Sequence, residues 1–155
     1  MSAIIASEIV WRFTTTAGAA GDSTANTTVG TFLGKYAATS AWAGGGTNDL
    51  FADITGAQNA ASQVDYAGLA ILNNNTANTA QNAVAYISSE VAGGASIAIG
   101  ADTTAASAKG SATAQLVTIA SSTTAPAGVS FSSPTTAGTG ISLGNIDRKS
   151  TRLNS

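Results

Sequence analysis

The sequence predicts an all-β protein, an antiparallel sandwich or barrel built from short strands. Large apolar residues alternate with small or polar ones in several short stretches, which is the pattern of half-buried strands. Turn-forming residues separate these stretches, and no long stretch has helical periodicity. Ala, Gly, Ser and Thr make up more than half of the 155 residues, which fits a small-residue β protein or a low-complexity polymer. The alternation favours the β protein.

Seven stretches carry the alternation and are predicted as strands. Each places two or three large apolar residues on one face, which a strand can bury. In chain order they are residues 8–14, 64–72, 82–91, 97–99, 115–119, 129–131 and 141–143. The second is apolar on both faces, which indicates a central strand. Short helical turns are predicted at residues 56–63 and 101–108, because Ala is permissive there.

Asn, Gly and Pro residues mark the turns between the predicted strands. Asn73-Asn74-Asn75 follows the central strand directly, and Asn tolerates the left-handed conformations that tight turns need. Gly93-Gly94 separates two further strands. Pro126 and Pro134 lie outside the alternating stretches, where a missing N–H costs little.

Residues 15–49 are predicted to form an extended, loop-rich arm. The segment 17–30 has almost no large apolar residue, and three consecutive glycines follow at positions 44–46. Such a segment needs the sandwich or a partner subunit, because it cannot bury enough surface by itself. The aromatics within it, Phe32, Tyr36 and Trp42, are the candidate interaction surface. The predicted division is therefore an N-terminal strand and arm over residues 1–49 and a β-sandwich over residues 50–146.

Composition excludes several kinds of chemistry. The chain has no Cys and no His, so it holds no disulfide, zinc ribbon or thiol nucleophile and lacks the commonest general base. Its net charge of −2 offers no electrostatic footprint for nucleic acid. No apolar run approaches the length of a membrane span. We therefore expect a protein that is not an enzyme, without cofactor or metal, and with neither nucleic acid nor membrane as partner.

The acidic residues and the two tryptophans have alternative interpretations. Asp49 and Asp53 are the closest pair of carboxylates, and they or Asp102 could bind calcium in a loop. Solvated acids at loops and strand ends are the simpler interpretation. Trp11 is in register with a buried face, whereas Trp42 lies beside glycines and is the better candidate for a contact or sugar-stacking surface.

The last nine residues, 147–155, break with the composition of the rest. They hold three of the six basic residues, so the remaining chain has three basic and seven acidic residues and a net charge of −4. The string DRKSTRLNS resembles the translation, in one frame, of a common sequencing adapter. The resemblance implies a non-native tail and a natural gene that continues beyond Ile146. The sandwich would then lack its last strands, leaving an under-covered sheet edge beside residues 141–146 or 84–87.

Two resemblances concern the rest of the chain. The stretch VDYAGLAILNNNTANTAQNAVAYISSE (64–90), together with ISLGNI (141–146), looks like the strand, Asn-turn, strand core of immunoglobulin-like adhesion and virion modules. An ordered set of segments also resembles an uncharacterised family of tailed-phage virion structural proteins, with Lys35 standing where a second glycine is usual. These segments are residues 8–13, 32–34, 50–56, 65–66, 84–90, 97–100 and 118–131.

The resemblance implies a virion protein that works through contacts with other virion subunits, in repeated copies or as a homo-oligomer. It suggests a capsid decoration, neck or tail component, and it supplies no catalytic residues. The alternative is a bacterial surface or secreted adhesive module that binds carbohydrate. An enzyme is a third possibility, which a pocket lined by paired carboxylates would favour.

Overall fold

The computed structural model describes residues 3–17, 23–46, 48–90, 95–102, 107–108, 114–147 and 150–154. Most of its regular structure consists of antiparallel sheets, in agreement with the predicted all-β class. The strands are β1 (Ile9–Thr15), β2 (Tyr36–Ala41), β3 (Leu69–Asn73), β4 (Ala80–Ala85), β5 (Ile99–Gly100), β6 (Ser107–Ala108), β7 (Phe131–Ser132), β8 (Ile141–Ile146) and β9 (Ser150–Asn154). One short α-helix, α1 (Gly56–Ala60), and two 3₁₀ turns, Ala6–Glu8 and Ala137–Thr139, accompany them.

The main sheet has the strand order β2-β1-β3-β9-β6. Between β1 and β3, Trp11 lies opposite Ile71 and Phe13 lies opposite Leu69. Directly opposed apolar side chains on one face are a main source of sheet stability. All five residues of β3 are buried, so the prediction of a central strand that is apolar on both faces is confirmed.

The second layer is the two-stranded sheet of β4 and β8. Its residues Ala85, Leu143 and Ile146 form one buried cluster with Ile71 of the main sheet, and Trp11 packs against that cluster. The two antiparallel layers therefore share an apolar core. β4 and β8 pair only with each other among the described residues, and Val84 of β4 is 43% exposed. The under-covered edge predicted at this place is present.

The other face of the main sheet is covered by the chain around residues 115–119. Leu116 packs against Ala37 and Ala70, and the Oε1 atom of Gln115 accepts a hydrogen bond from the backbone N–H of Ala37 at 3.0 Å. The prediction of a strand at residues 115–119 is wrong. The segment makes one isolated bridge, between Gly34 and Thr118, and its Gln115 and Ile119 N–H groups donate to the carbonyls of Lys35 and Leu33. Lys35 and Gly34 both have a positive φ, so the facing chain is not extended there and no regular ladder forms.

Gly34 lies where two backbones meet. Its φ is +77°, and a Cβ atom there would overlap the carbonyl oxygen of Val117. The fully buried hydroxyl of Thr14 accepts a hydrogen bond from the Gly34 N–H at 3.1 Å and donates one to the Gly68 carbonyl at 2.9 Å. Both the left-handed conformation and the lack of space require glycine at this position.

One part of the predicted arm, β2, belongs to the main sheet. β2 pairs with β1, and the loop before it is held by Asn26, whose Nδ2 donates to the Thr14 carbonyl at 2.8 Å and whose Oδ1 accepts from the Thr28 N–H at 3.1 Å. β1 and β2, which lie within residues 1–49, share one sheet with β3, which lies within residues 50–146. Hydrogen bonds of polar side chains fix a segment that has little apolar surface to bury.

The remaining predicted elements differ mainly in their bounds. The strands expected at residues 82–91, 97–99 and 129–131 occur as β4, β5 and β7, and the helical turn at 56–63 occurs as α1. The helical turn expected at residues 101–108 is partly wrong, because Ser107–Ala108 is the strand β6 and residues 103–106 lie outside the described residues. The Gly93-Gly94 turn also lies outside them.

Residues 150–154 of the adapter-like segment form β9, which pairs with the second edge of β3. The register places Leu153 opposite Ala70 and Arg152 opposite Ile71. Ladder hydrogen bonds use main-chain groups alone, so a strand edge accepts a segment whatever the origin of its side chains.

The turn after β3 depends on asparagine side chains. The Nδ2 atom of Asn73 donates to the carbonyls of Asn78 and Ile146, each at 2.9 Å, and its Oδ1 accepts from the Asn75 N–H at 3.0 Å. Asn75 in turn donates to Glu8 Oε2 at 2.8 Å. None of Asn73, Asn74 and Asn75 has a positive φ. The turn is confirmed, but its cause is hydrogen bonding rather than left-handed backbone.

We expect the stability of the protein to fall in acid partly through Glu8. The hydrogen bond from Asn75 and that from the Ile5 N–H lower the pKa of Glu8. A carboxyl group with a lowered pKa contributes stability above its unfolded-state pKa and loses that contribution as pH falls through its folded-state pKa. Glu8→Gln should therefore lose less stability than the wild type on acidification. Urea unfolding at a series of pH values measures this, with Glu90→Gln as the control, and equal losses in Glu8→Gln and wild type would contradict the prediction.

Candidate functional site

A concave surface in the described part of the chain surrounds Trp42. Its volume is about 340 Å³, and we call it the Trp42 groove. The backbone N–H of Trp42 donates to the Trp11 carbonyl at 2.8 Å, and the two indole rings meet edge to face with centroids 6.2 Å apart. These contacts hold the half-buried ring in place. The groove is lined by Phe13, Thr27, Val29, Ala41, Trp42, Ala43, Asn48 and Asp49.

The glycine-rich loop after Trp42 brings a carboxylate to the same groove. Gly44 and Gly45 have φ angles of +69° and +80°, and a Cβ atom on Gly46 would overlap the carboxylate of Asp49. The Gly46 N–H donates to Asp49 Oδ2 at 2.9 Å. The three glycines therefore form a tight loop that places an acidic side chain in an otherwise largely apolar groove.

A smaller cavity of about 130 Å³ contains two acidic side chains, and we call it the carboxylate cavity. Asp53 and Asp65 both line it, and Gln63 Nε2 donates to Asp65 Oδ1 at 2.8 Å. Its remaining lining residues are Gly30, Leu50, Phe51, Ala52, Gln58, Gln63, Tyr66 and Ser122. Leu50, which lines this cavity, packs against the same buried cluster as Val29 and Trp42 of the Trp42 groove, so the two concave surfaces are neighbours.

The chain over residues 51–64, the 51–64 segment, is ordered but largely outside the core. Every residue in it is exposed except Gln58 and Gln63, which are half-buried. Helix α1 within it has no buried residue. A capping box holds this helix, since Thr55 Oγ1 accepts from the Gln58 N–H at 3.3 Å and the Thr55 N–H donates to Gln58 Oε1 at 2.8 Å.

Three large apolar side chains of this segment face solvent. Phe51 is 37% exposed, Ile54 is 43% exposed and Val64 is 57% exposed. An isolated helix of this length is unstable in water, and burial of an apolar face normally stabilises it. Helix α1 has its capping box, but none of its residues is buried by the described part of the chain. The apolar side chains of the 51–64 segment are therefore available for contact with another molecule.

The structure separates the three residues of the predicted interaction surface. Phe32 is 1% exposed and stacks on Phe13 with ring centroids 4.4 Å apart. Tyr36 is 6% exposed, and Lys35 Nζ lies 5.2 Å from the centroid of its ring. Both belong to the core of the subunit, so the prediction that they form a contact surface is corrected. Only Trp42 lines a groove.

The acidic residues considered for calcium lie apart. Asp49 lines the Trp42 groove and Asp53 lines the carboxylate cavity, while Asp102 accepts a hydrogen bond from the Val117 N–H at 2.7 Å. The described residues contain no group of three or more acidic side chains placed to bind a metal. The pair that does share a cavity, Asp53 and Asp65, was missed because the two are far apart in sequence.

A search of protein-family models, curated proteins and solved structures gives no significant match to this chain. Among the described residues, no helix has the length and apolar character needed to span a membrane.

Proposed function

We propose that the protein is a non-enzymatic structural subunit of a bacteriophage virion, such as a capsid decoration, neck or tail component, that acts through contacts with other subunits. The ordered resemblance of its segments to tailed-phage virion proteins supports the virion role. The two antiparallel layers and the asparagine turn between β3 and β4 support an immunoglobulin-like sandwich as its fold.

The observation that carries this proposal is the exposure of large apolar side chains in a chain that has few of them. Six of these exposed side chains form two groups. The first is Phe51, Ile54 and Val64 of the 51–64 segment, and the second, the β4-side group, is Val84, Tyr86 and Ile97 in or near β4. Apolar groups of this kind mark surfaces that other molecules cover. Seven large apolar residues of the described chain are between 37% and 60% exposed, namely Ile5, Phe51, Ile54, Val64, Val84, Tyr86 and Ile97.

The exposed residues Tyr86 and Ile97, which with Val84 form the β4-side group, are joined through hydrogen bonds to one loop, residues 133–134. The Ile87 N–H donates to the Pro134 carbonyl at 2.8 Å, and Ser133 Oγ donates to the Ile97 carbonyl at 2.6 Å. Residues 86–87 and 97 therefore flank the same short loop, and Tyr86 and Ile97 are 44% and 45% exposed. Beside them, β4 and β8 offer unpaired outer edges among the described residues.

Two other functions have a specific observation in their favour. The aromatic and polar lining of the Trp42 groove suits a carbohydrate-binding adhesive module, which is our second candidate. Paired carboxylates in the carboxylate cavity would suit a hydrolase, but the cavity of about 130 Å³ is below the roughly 300 Å³ typical of ligand pockets. One of its carboxylates is also held by Gln63.

Gene order tests the virion role directly. Recovery of the same gene on a longer contig should place it among head and tail genes, and a neighbourhood of metabolic genes would count against the proposal.

Self-association tests the contact role. We expect the purified chain to increase in mass with concentration by size-exclusion chromatography with light scattering. The double variant Tyr86→Ser with Ile97→Ser should weaken this, because it removes apolar side chains from the β4 side. Ile5→Ser is the matched control, since Ile5 is 60% exposed and outside both groups. A wild type that stays monomeric, or an equal effect of the control, would contradict this contact surface.

A further inference from the structure

We propose that the Trp42 groove and the 51–64 segment together bind a segment of a partner protein in which a lysine or arginine lies between apolar side chains. The inference rests on the proposed function, because it names the partner of one of its contact surfaces.

The two features form one continuous surface. Val29 and Asp49 line the Trp42 groove. Their neighbours in sequence, Gly30 and Leu50, line the carboxylate cavity. Phe51, at the start of the 51–64 segment, lines the carboxylate cavity as well. A bound chain can therefore contact the indole of Trp42 and the exposed ring of Phe51 at the same time.

The charge of this surface selects the partner. Asp49, Asp53 and Asp65 line its two cavities, and among the described residues no lysine or arginine lines either of them. None of these carboxylates forms an ion pair with a described basic side chain. An apolar surface that carries only negative charge is complementary to an apolar segment that carries positive charge.

A second copy of this chain fits the surface poorly. Like carboxylates would meet across a symmetric contact, at an energetic cost. The described part of the chain offers few basic side chains in compensation. Arg12 donates to the Ala38 carbonyl at 3.2 Å within the main sheet, and Lys35 lies over the ring of Tyr36.

The composition of the Trp42 groove suits a cationic side chain. Tryptophan is the aromatic residue that attracts cations best, and a carboxylate strengthens a hydrogen bond from ammonium or guanidinium. Asp49 has one oxygen bonded to the Gly46 N–H, and as an ionised acceptor it can take further hydrogen bonds. The apolar residues next to the cation would then pack against Phe51, which lines the adjoining carboxylate cavity.

Peptide binding tests the proposal with the full chain. The probe is a short fluorescent peptide in which arginine alternates with leucine, and the comparison peptide has glutamine in place of arginine. By fluorescence anisotropy we expect the arginine peptide to bind about tenfold more tightly than the glutamine peptide, with binding that weakens as salt is added. Asp49→Asn should weaken arginine-peptide binding about tenfold, because it removes the charge and keeps the acceptor for the Gly46 N–H.

Glu90→Gln is the matched control, because it removes the same charge from an exposed site that lines neither cavity. Equal binding of the two peptides, or an equal loss in Glu90→Gln and Asp49→Asn, would overturn the proposal. A further contrary result would be binding of a neutral oligosaccharide such as maltoheptaose that is unchanged in Asp49→Asn but lost in Trp42→Leu. That result would overturn the proposal and favour the adhesive alternative. Failure of peptide binding in a chain that still self-associates would reject this inference and leave the proposed function standing.

Discussion

Gly34→Ala is expected to destabilise the protein by at least about 3 kcal/mol, which is a large fraction of the stability of an ordinary domain. Two costs combine at this position. An alanine at a φ of +77° is strained, and its Cβ atom would overlap the Val117 carbonyl oxygen. Since that atom belongs to the backbone, two chain segments must separate to relieve the overlap. Urea unfolding followed by tryptophan fluorescence measures the loss.

Gly128→Ala separates the two costs. Gly128 has a φ of +76°, and an added Cβ atom would meet no atom within 4 Å. This variant should lose only about 1 kcal/mol, which is the conformational cost of a left-handed alanine. If both variants lost the same amount, the close approach of Gly34 to Val117 would be irrelevant to stability.

Asn73→Ala is expected to cost about 2–4 kcal/mol, because it leaves several buried polar groups without partners. Asn73 is fully buried, and its side chain holds the carbonyls of Asn78 and Ile146 and the N–H of Asn75. The bond to Ile146 joins the end of β3 to the end of β8. The variant should therefore loosen the contact between the two layers, and hydrogen exchange of the β8 amides should increase.

The neighbouring residue supplies the control for this prediction. Asn74 is exposed, and its backbone N–H, which donates to the Glu8 carbonyl at 2.7 Å, is unchanged by substitution. Asn74→Ala should change stability by no more than about 0.5 kcal/mol. A large loss in Asn74→Ala, or a small one in Asn73→Ala, would show that the turn is not held by the side chain of Asn73.

Alternation of apolar residues predicted the parts of the fold that are stabilised by apolar burial. β1 and β3 were located by it because Trp11, Phe13, Leu69 and Ile71 share one buried face. It failed for β2, whose sequence YAATSA offers a single large side chain. That strand is fixed by its pairing with β1 and by Gln115, 78 residues away, and a local pattern cannot reveal such a contact.

The candidate site was predicted only in part, for a similar reason. Trp42 was identified by its position beside three glycines, a local signal. Phe32 has the same kind of neighbourhood in sequence but lies in the core, because Phe13 is available to stack on it. The exposed apolar surface of the 51–64 segment was not predicted from the sequence. Phe51, Ile54 and Val64 do not share the spacing of a buried helix face, and the residues between them are polar or small.

The connection between Asn73 and Ile146 has a consequence for the rate of folding. The ladders of β1 with β3 and of β4 with β8 each join residues more than 50 positions apart, and the Asn73 hydrogen bond spans 73 positions. In chains dominated by such distant contacts, the entropy of closing long loops is lost before the stabilising contacts form. Such chains therefore fold on the order of milliseconds to seconds. During synthesis β1 and β3 can pair long before β8, at residues 141–146, has left the ribosome. Until then Ile71 of β3 lacks the cover that Leu143 and Ile146 provide in the folded chain.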